Sequence, residues 1–427
     1  MFEPLLKERP EAVSKVRAVT GDCSELRLGL SASDEATLVD NVSYVFHAAA
    51  TVRFDDPLKS AILLNTRGTR EVVELCKKMK KLEVLEYVST TYCFTNVPVL
   101  KEQPYPTDLD WRKMIQLAET EDQATLDAVS RKILDFQPNT YTFSKALAEN
   151  IINDHRDDIP IIIYRPAVVI SSMCEPFAGW LDNLNGPFGI WAGALKGLLR
   201  YSYGDPDVAL SYTPVDWAIR GMIVCAVAKA ARSQALSSTN PDQVDVVNME
   251  GSQYEKLTYR TQNEDLKVLR YCAVQPLRYP GYHMTPCATY YWLGTLCSQV
   301  PYGIAMDLLL RLAGQKPRVV AINRKIVAAN AALAYFMINE FPIETGKMNQ
   351  LHFALHADDR PDFGMLLNDP NSHFVYVRLR LTRVSVAVIV IVTQSAFFFL
   401  TYCRTNGNTQ KQLLKAPTST CSMKKRH

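Results

Sequence analysis

The first half of the chain contains two periodic patterns of apolar and polar positions. Short apolar runs predict β-strands at residues 16–19, 42–46, 84–88 and 161–164. Over residues 58–79 and 141–154, apolar side chains recur every three or four positions, which predicts helices. Strands that alternate with helices are typical of a parallel sheet covered on both faces. The predicted fold class is therefore α/β, with a Rossmann-like doubly wound parallel sheet.

The pattern changes between and after these elements. Residues 98–137 are polar and predict loops with one short helix. Residues 179–204 are rich in Gly, Trp, Asn and Pro, which predicts a loop-rich lid or channel wall. Beyond about residue 277 the sequence is aromatic and apolar, and residues 308–312 and 319–341 predict helices. We therefore expect a second, helical domain in the C-terminal half.

A long uncharged segment lies near the end of the chain. Residues 384–403 contain no charged side chain, and Arg383 and Arg404 flank them. About 20 apolar residues can cross a bilayer as a helix, so this segment predicts a transmembrane helix. A buried strand or helix of a soluble core is the alternative. The expected organisation is a sheet domain at 1–274, a helical domain at 275–380, a transmembrane segment at 384–403 and a polar, basic tail at 404–427.

Composition narrows the class of protein. The 427 residues are 48% hydrophobic, which is enough for a large core, and the net charge of +3 gives no reason to expect a nucleic-acid partner. The ten cysteines form no C-x-x-C pair and no metal-finger spacing, so we predict no metal site and a reducing compartment. The first residues are charged and contain proline, unlike a signal peptide.

The first candidate for chemistry is the pair Tyr141 and Lys145. Four residues apart on a helix, both side chains lie on one face. A phenol has a pKa near ~10 in water, and a neighbouring ammonium favours the phenolate. The pair can therefore act as a general acid toward a carbonyl oxygen that receives a hydride. By itself the motif is weak, because about two Tyr-x-x-x-basic pairs arise by chance in this composition.

The preceding strand strengthens this interpretation. The run at residues 84–88 ends in Ser89 and Thr90, at the position where an open parallel sheet builds its site. Such a hydroxyl can donate a hydrogen bond to the same substrate oxygen. Alternatively, these hydroxyls only cap the following turn. Because strand-end hydroxyl, helix Tyr/Lys and a further strand follow in one order, we favour the catalytic interpretation.

Other strand ends predict where a dinucleotide would lie. Small residues at these positions allow a ring or ribose to approach the backbone closely. Asp22 can accept from an adenine amine, and backbone near Pro166 can meet a nicotinamide carboxamide. Asn65 can support the catalytic group from behind, or pack between helices. Together with Tyr141 and Lys145, the predicted cofactor-binding residues are Asp22, Ala48, Ala49, Ala50, Asn65, Pro166 and Val168.

Several of these segments resemble one protein family. The matching stretches are residues 45–55, 87–93, 141–145, 164–169, 175–186, 213–216 and 312–317. They resemble the fatty acyl-CoA reductases of insects, within the extended short-chain dehydrogenase superfamily. The run at 175–186 distinguishes these reductases from the sterol and sugar-nucleotide enzymes of that superfamily.

The resemblance implies a reaction and its residues. A long-chain acyl-CoA would be reduced through an aldehyde to a primary alcohol, with two NADPH consumed. Tyr141 would be the acid, Lys145 its partner and ribose ligand, and Thr90, or else Ser89, the donor to the oxyanion. The helical domain would shape an acyl channel. A membrane anchor suits a substrate tail and a product that both partition into lipid.

The sequence also departs from the family. The superfamily begins with a strand, a glycine-rich turn and a helix whose N-terminus binds the pyrophosphate. The first glycine of this chain is Gly21, in the later Gly-Asp element, so the first βαβ unit is expected to be missing. The alternative function is therefore a catalytically impaired relative or fragment, which binds acyl chains or a partner at the membrane.

The C-terminus bears on localisation. Residues 424–427 read Lys-Lys-Arg-His and resemble a di-lysine signal of the endoplasmic reticulum; a basic terminus that arose by chance is equally compatible. We expect a membrane protein of the endoplasmic reticulum, with the peroxisome as alternative, whose catalytic domain faces the cytosol. A second embedded segment around residues 290–312 would reconcile a cytosolic tail with one C-terminal span.

Overall fold

A computed structural model of the chain describes residues 9–177, 179–183, 186–232, 236, 243–251, 258–263, 278–279 and 281–365. The predicted span at 384–403 and the tail at 404–427 lie outside these residues. The β-strands of the described part are β1 (Tyr44–His47), β2 (Val84–Val88), β3 (Ile161–Pro166), β4 (Val168–Ile170), β5 (Tyr201–Tyr203), β6 (Tyr212–Pro214), β7 (Asp245–Met249) and β8 (His283–Thr285).

The described residues form a four-stranded parallel sheet in the order β1-β2-β3-β7. Its register sets His47 beside Tyr87, Tyr87 beside Ile163, and Ile163 beside Val246. Every residue of β3 is buried, as expected for a strand with apolar layers on both faces. Two smaller parallel pairs, β4–β6 and β5–β8, extend the fold.

Helices cover the sheet on both faces and continue into the C-terminal region. Their bounds are α1 (Ala32–Asn41), α2 (Leu58–Ala61), α3 (Gly68–Lys78), α4 (Trp111–Thr120), α5 (Gln123–Leu134), α6 (Thr140–Asp154), α7 (Pro187–Leu195), α8 (Val215–Ala230), α9 (Ala288–Gly294), α10 (Val300–Leu312), α11 (Val319–Ile338), α12 (Gly346–Ala354) and α13 (Arg360–Phe363). Two π-turns, Ile62–Arg67 and Thr295–Gln299, join α2 to α3 and α9 to α10. Short 3₁₀ turns occur at Pro10–Lys15 and Leu26–Gly29.

Alternate residues of each strand point to opposite apolar cores. Leu85 and Ile163 face α3, α4 and α6, in a core that also contains Leu147. Val84 and Ile162 face α8 and α12 on the other side. The doubly wound parallel sheet expected from the sequence is therefore confirmed.

Some local predictions were wrong. Residues 16–19 form no strand: they are mostly exposed, and β1 pairs only with β2 among the described residues. A β-prone run becomes a strand only when a neighbour pairs with its backbone. The loops expected at 98–137 contain two helices, α4 and α5, and those at 179–204 contain α7 and β5. Strand β7 and helix α8 were not predicted.

The C-terminal region is helical, as expected, and backbone pairing joins it to the rest of the fold. Strand β5 pairs with β8, and Leu100 bridges to Ile343. Two stretches, Ala288–Leu312 and Val319–Ile338, are long and apolar enough to cross a membrane by length and composition. The domain boundary at 274/275 stays a prediction.

Candidate active site

The candidate site lies at the carboxyl end of β2, against the start of α6. Asn139 caps α6, because its side-chain oxygen accepts from the backbone N–H of Thr142 at 2.9 Å. This cap fixes the first turn, which carries Tyr141. Lys145 follows one turn later on the same face.

Lys145 is buried beneath the end of β2. Its Nζ donates to the carbonyl oxygen of Val88 at 2.7 Å and lies 4.6 Å from the centre of the Tyr87 ring. Burial lowers the pKa of the Lys145 ammonium to about 8, while the neighbouring Cys93 and Glu149 act in the opposite direction. An ammonium with so low a pKa changes its charge within the range in which enzymes are assayed.

Burial raises the pKa of the Tyr141 phenol above its ordinary value, and the nearby Thr90 hydroxyl offsets part of this rise. The expected lowering by Lys145 is not found, because the Lys145 ammonium is directed at the Val88 carbonyl oxygen. The phenol therefore stays protonated near neutral pH and can supply a proton.

The two hydroxyls that the sequence left as alternatives have different surroundings. The Ser89 hydroxyl donates to the Sγ of Cys93 at 3.8 Å, whereas the Thr90 hydroxyl is the one that lowers the Tyr141 pKa. Cys93 is fully buried and itself donates to Glu149 at 3.2 Å. These contacts favour Thr90 over Ser89 as the partner of Tyr141.

Asn65, in the π-turn after α2, ties together the parts around this site. Its Oδ1 accepts from the backbone N–H of Thr51 at 2.9 Å, and its Nδ2 donates to the Ser144 hydroxyl at 2.9 Å. The Ser144 hydroxyl in turn donates to the Tyr141 carbonyl oxygen at 3.0 Å. Asn65 is 1% exposed, so its contacts suit a residue that positions α6.

The residues before and after the predicted alanines differ in exposure. His47 is buried, and its Nε2 shares a hydrogen bond of 2.9 Å with the Thr69 hydroxyl. Burial and the nearby Lys145 lower the pKa of His47 to about 3, so its imidazole is neutral. Ala48 and Ala49, by contrast, are exposed at the end of β1. The strand thus ends in small residues that leave its backbone accessible.

A buried ion pair supports the end of β3. Arg165 donates to both carboxylate oxygens of Glu149, at 2.8 and 2.6 Å, and neither side chain is accessible to solvent beyond 1%. Pro166 follows at the carboxyl end of β3, where its carbonyl oxygen accepts from the Thr91 N–H at 3.1 Å. Val168 begins β4 and pairs with Tyr212. Pro166 is thereby held next to the Ser89–Thr91 turn.

Asp22 lies in an exposed loop rather than among the buried residues around Lys145. Its Oδ1 accepts from the backbone N–H of Ser24 at 2.8 Å, and this bond and the Ser24 hydroxyl lower the Asp22 pKa. The loop packs against the start of α3, where a Cβ on Gly68 would lie 2.7 Å from the Cys23 carbonyl oxygen. Gly68 is therefore required for this close approach.

One feature of the site was not predicted: an aromatic cluster of Phe54, Tyr92, Phe336 and Phe341 beside Tyr141. Phe54 stacks on the Tyr141 ring with centroids 5.7 Å apart, and Phe336 of α11 lies 5.5 Å from Phe54. Tyr92 contacts Phe336 and Phe341 edge-on, at 5.2 and 5.5 Å. Phe54 lies within the family-like run at 45–55, but no local signal connects Phe336 with this site.

The residues present fit the nicotinamide end of a dinucleotide. The Lys145 ammonium has three N–H groups, and within the described part of the chain only one of them meets an acceptor, the Val88 carbonyl oxygen. Two N–H groups of Lys145 thus remain, which is enough to donate to the two hydroxyls of a ribose. Among the described residues no glycine-rich strand–helix turn provides a pyrophosphate cradle.

Comparisons with known proteins agree with this geometry. A family model for an NAD-binding region, described as "Male sterility protein", matches residues 1–222, and a second model of that description, Sterile, matches residues 298–375. "Fatty acyl-CoA reductase wat" of Drosophila melanogaster is 32% identical over 373 residues, which are 86% of this chain and 70% of that protein. "Fatty acyl-CoA reductase 1" of Rattus norvegicus is 31% identical, with the same two coverages.

Solved structures support the fold. The terminal R domain of the myxalamid PKS-NRPS pathway superposes with a TM-score of 0.54 at 16% identity, over 80% of this chain and 71% of that one. The reductase (R) domain of a nonribosomal peptide synthetase from Mycobacterium tuberculosis gives 0.53 at 15% identity, over 91% and 80%. At this identity, the likeness establishes the arrangement of strands and helices alone.

Proposed function

Because this chain belongs to the fatty acyl-CoA reductase family, an oxidoreductase family with a nicotinamide-cofactor domain, we propose that it reduces long-chain acyl-CoA to a primary alcohol through an aldehyde, with NADPH as reductant. The observation that carries the proposal is the position of Tyr141 and Lys145 on α6, with the buried Lys145 ammonium bonded to the Val88 carbonyl oxygen at the carboxyl end of the parallel sheet, next to Ser89 and Thr90. The names of the relatives favour a reductase over the alternative of a binding protein without activity.

The proposed chemistry uses the site residues in two reductions. A bound nicotinamide supplies the hydride for each of them. In the first, the thioester carbon accepts the hydride, the Thr90 hydroxyl stabilises the negative oxygen, and the carbon–sulfur bond breaks to release an aldehyde and the CoA thiolate, which takes a proton from water. In the second, the aldehyde carbon accepts a hydride, and the neutral Tyr141 phenol donates its proton to the alcohol oxygen.

The remaining residues have supporting roles in this proposal. Lys145 binds the ribose hydroxyls and helps to restore the proton of Tyr141. Ala48, Ala49 and Ala50 leave room for the nucleotide at the end of β1. Pro166 and Val168 frame the carboxamide, Asp22 accepts from the adenine amine, and Asn65 acts by holding the start of α6. Ser89 is the second choice for the oxyanion donor.

Substrate and location follow the same proposal. Acyl-CoA carries a long apolar tail, and the aromatic cluster beside Tyr141 offers a matching surface. We place the enzyme at a membrane of the endoplasmic reticulum, or else of the peroxisome, with its catalytic part in the cytosol. The apolar segment at 384–403 would anchor it in membrane lipid.

A direct assay tests the proposal. The full chain is placed in lipid vesicles with NADPH and acyl-CoA of several lengths, and fatty alcohol and NADPH consumption are both measured. We expect two NADPH oxidised per alcohol, and no alcohol from a Tyr141→Phe variant. The proposal is wrong if the chain binds NADPH, as measured by its fluorescence, but forms neither aldehyde nor alcohol from any chain length. Repeating the assay with NADH tests the choice of cofactor.

A further inference from the structure

The helix formed by α9, its π-turn and α10 has its apolar side chains on the outside. Six of them follow one another at spacings of three or four and form an exposed apolar stripe: Leu293, Leu296, Val300, Ile304, Leu308 and Leu312. Leu312, the most exposed, has 78% of its surface in contact with solvent, and Leu293 has 56%. A stripe of this kind normally faces the core of a soluble protein.

Polar and small residues occupy the buried face of the same helix. Thr295, Gln299, Gly303 and Asp307 recur every four residues, and Gln299 is only 2% exposed. The Gln299 side chain accepts from the backbone N–H groups of Arg200 and Tyr201. A Cβ on Gly303 would lie 2.8 Å from Asn323 of α11, so the glycine allows the two helices to approach closely.

Helix α11 has the same polarity on its inner side. Asn323 donates to the carbonyl oxygen of Gln299 at 3.2 Å. Asn330 is 1% exposed, accepts from the Tyr203 N–H at 3.0 Å and donates to the Ser202 hydroxyl. Asp307 accepts from three successive backbone N–H groups at the start of α11. Residues 288–338, here called the hairpin, thus bury polar side chains against each other and against residues 200–203, while the helix that ends at Leu312 presents apolar side chains outward.

The hairpin contains more basic than acidic residues. Its sequence has a single acidic residue, Asp307, whose carboxylate is occupied by the three N–H groups. Its five basic residues cluster around the turn between the two helices and the start of α11: Arg311, Lys316, Arg318, Arg324 and Lys325. A second copy of the chain would bring the same positive charges to an interface, whereas an anionic lipid surface has the opposite charge.

We propose that the hairpin is a lipid-contacting surface, whose exposed apolar stripe enters the acyl region of an anionic bilayer while the basic cluster contacts the headgroups. This contact is additional to the anchor expected at 384–403. It would place the end of α11, with Phe336 beside Phe54 and Tyr141, on a path from lipid to the candidate site. The surface itself does not depend on the proposed reductase activity.

The chain contains a matched pair of cysteines for a test. Cys297 is exposed on the helix that bears the stripe, and Cys174 is exposed in the loop after β4. The full chain is placed in vesicles and treated with a membrane-impermeant maleimide, and the labelling of each cysteine is followed by mass spectrometry. We expect the ratio of Cys297 to Cys174 labelling rates to be lower, by about tenfold, than in an L296E/I304E/L308E variant in the same vesicles. The replaced side chains are exposed, and circular dichroism checks that the variant is folded.

Each outcome is decisive. If Cys297 reacts in the wild-type chain as fast as Cys174, the surface does not contact lipid and the proposal is overturned, whatever the variant does. If protection disappears when the protein is diluted with more lipid, a second copy covers the stripe instead. If phosphatidylcholine vesicles protect as well as vesicles containing phosphatidylserine, the role of the basic cluster is wrong. Because labelling needs no turnover, a failure here leaves the reductase proposal intact.

Discussion

The parallel sheet and the hairpin bury opposite kinds of side chain. Around the sheet, isoleucine, valine and leucine fill two cores, and the main charged pair inside, Arg165 with Glu149, is fully bonded. In the hairpin, Gln299, Asn323 and Asn330 are buried together with a few apolar side chains such as Met337, whereas the leucines of the exposed apolar stripe face outward. The first arrangement is that of a protein in water, because burial of apolar surface drives its folding.

The second arrangement needs a different environment. When lipid surrounds a helix pair, apolar burial contributes little, and hydrogen bonds and close contacts between small residues hold the helices together. The comparison teaches that the type of side chain a region buries indicates whether water or lipid surrounds that region. It also separates two tasks: the sheet region supplies the chemical groups, and the hairpin supplies contact with lipid and the aromatic wall near them.

The largest effect is expected from Tyr141→Phe in the sheet region. Loss of the proton donor should lower alcohol formation by about 10²–10⁴-fold. The protection of Cys297 in vesicles should not change, because the hairpin has no part in proton transfer. Tyr44→Phe, on the exposed edge strand, is the matched control and should keep full turnover. Turnover of Tyr141→Phe within a few-fold of wild type would remove Tyr141 from the chemistry.

The next effect concerns the buried pair. Arg165→Met leaves the Glu149 carboxylate without its partner, which should lower the free energy of unfolding by about 3–5 kcal/mol. Thermal unfolding in mild detergent measures this change. Arg53→Met, which breaks the exposed contact of Arg53 with Asp55, should leave the unfolding midpoint unchanged. Equal midpoints for the two variants would show that the buried pair is not a support of the sheet.

A smaller loss of stability is expected in the hairpin. Asn330→Ala removes hydrogen bonds to Tyr203 and Ser202 and should cost about 1–3 kcal/mol. Asn339→Ala, just past the end of α11, loses only an exposed bond to the Tyr335 carbonyl oxygen and should be near neutral. If Asn330→Ala were neutral as well, the polar interior of the hairpin would not be what holds it together.

The aromatic wall should have a modest effect on catalysis. Phe336→Leu removes a ring that packs on Phe54 and, through it, on Tyr141, which should lower kcat/KM by about three- to tenfold. If the ring mainly binds the acyl chain, KM rises; if it holds Tyr141, kcat falls. Phe353→Leu, at an exposed position, serves as the control. An unchanged kcat/KM would confine catalysis to the sheet region.

The smallest effect is a pH dependence. Because burial lowers the pKa of Lys145 to about 8, turnover should fall by about half at that pH and continue to fall above it. Lys145→Arg should be slower but should not show this decline, since a guanidinium keeps its charge. The effect of a rise in pH on the free energy of unfolding has the opposite sign. The unfolded chain holds more protons between the lowered pKa and the ordinary 10.5, so a rise in pH across that window favours the folded state.

Local patterns predicted most of the sheet region. Strand β2 and helix α6 lie where the apolar rhythm indicated, and the order of Thr90, Tyr141 and Lys145 along the chain indicated one site. The run at residues 16–19 failed because a strand depends on a partner that the run itself does not specify. Phe336 was missed for a similar reason: its contact with Phe54 is set by how α11 packs on the rest of the fold.

The sequence also could not predict that the hairpin buries its polar side and exposes its apolar side. The helical rhythm of residues 288–338 shows an apolar side and a polar side but not which of them faces the protein. Only the contacts of Gln299 and Asn330 with the segment around β5 decide this. The pKa of Tyr141 was misjudged because the direction of the Lys145 side chain depends on the Val88 carbonyl oxygen, which spacing along the helix does not reveal.

The position of Phe336 has a consequence for how the protein is made. Tyr141 and Thr90 leave the ribosome early, and the sheet elements around them, β2, α6 and β3, can form before the C-terminal half has been synthesised. The ring that covers Phe54 arrives only with α11. During synthesis the site is thus first open at the carboxyl end of the sheet. Its aromatic wall forms only after the hairpin has been translated and can contact a membrane.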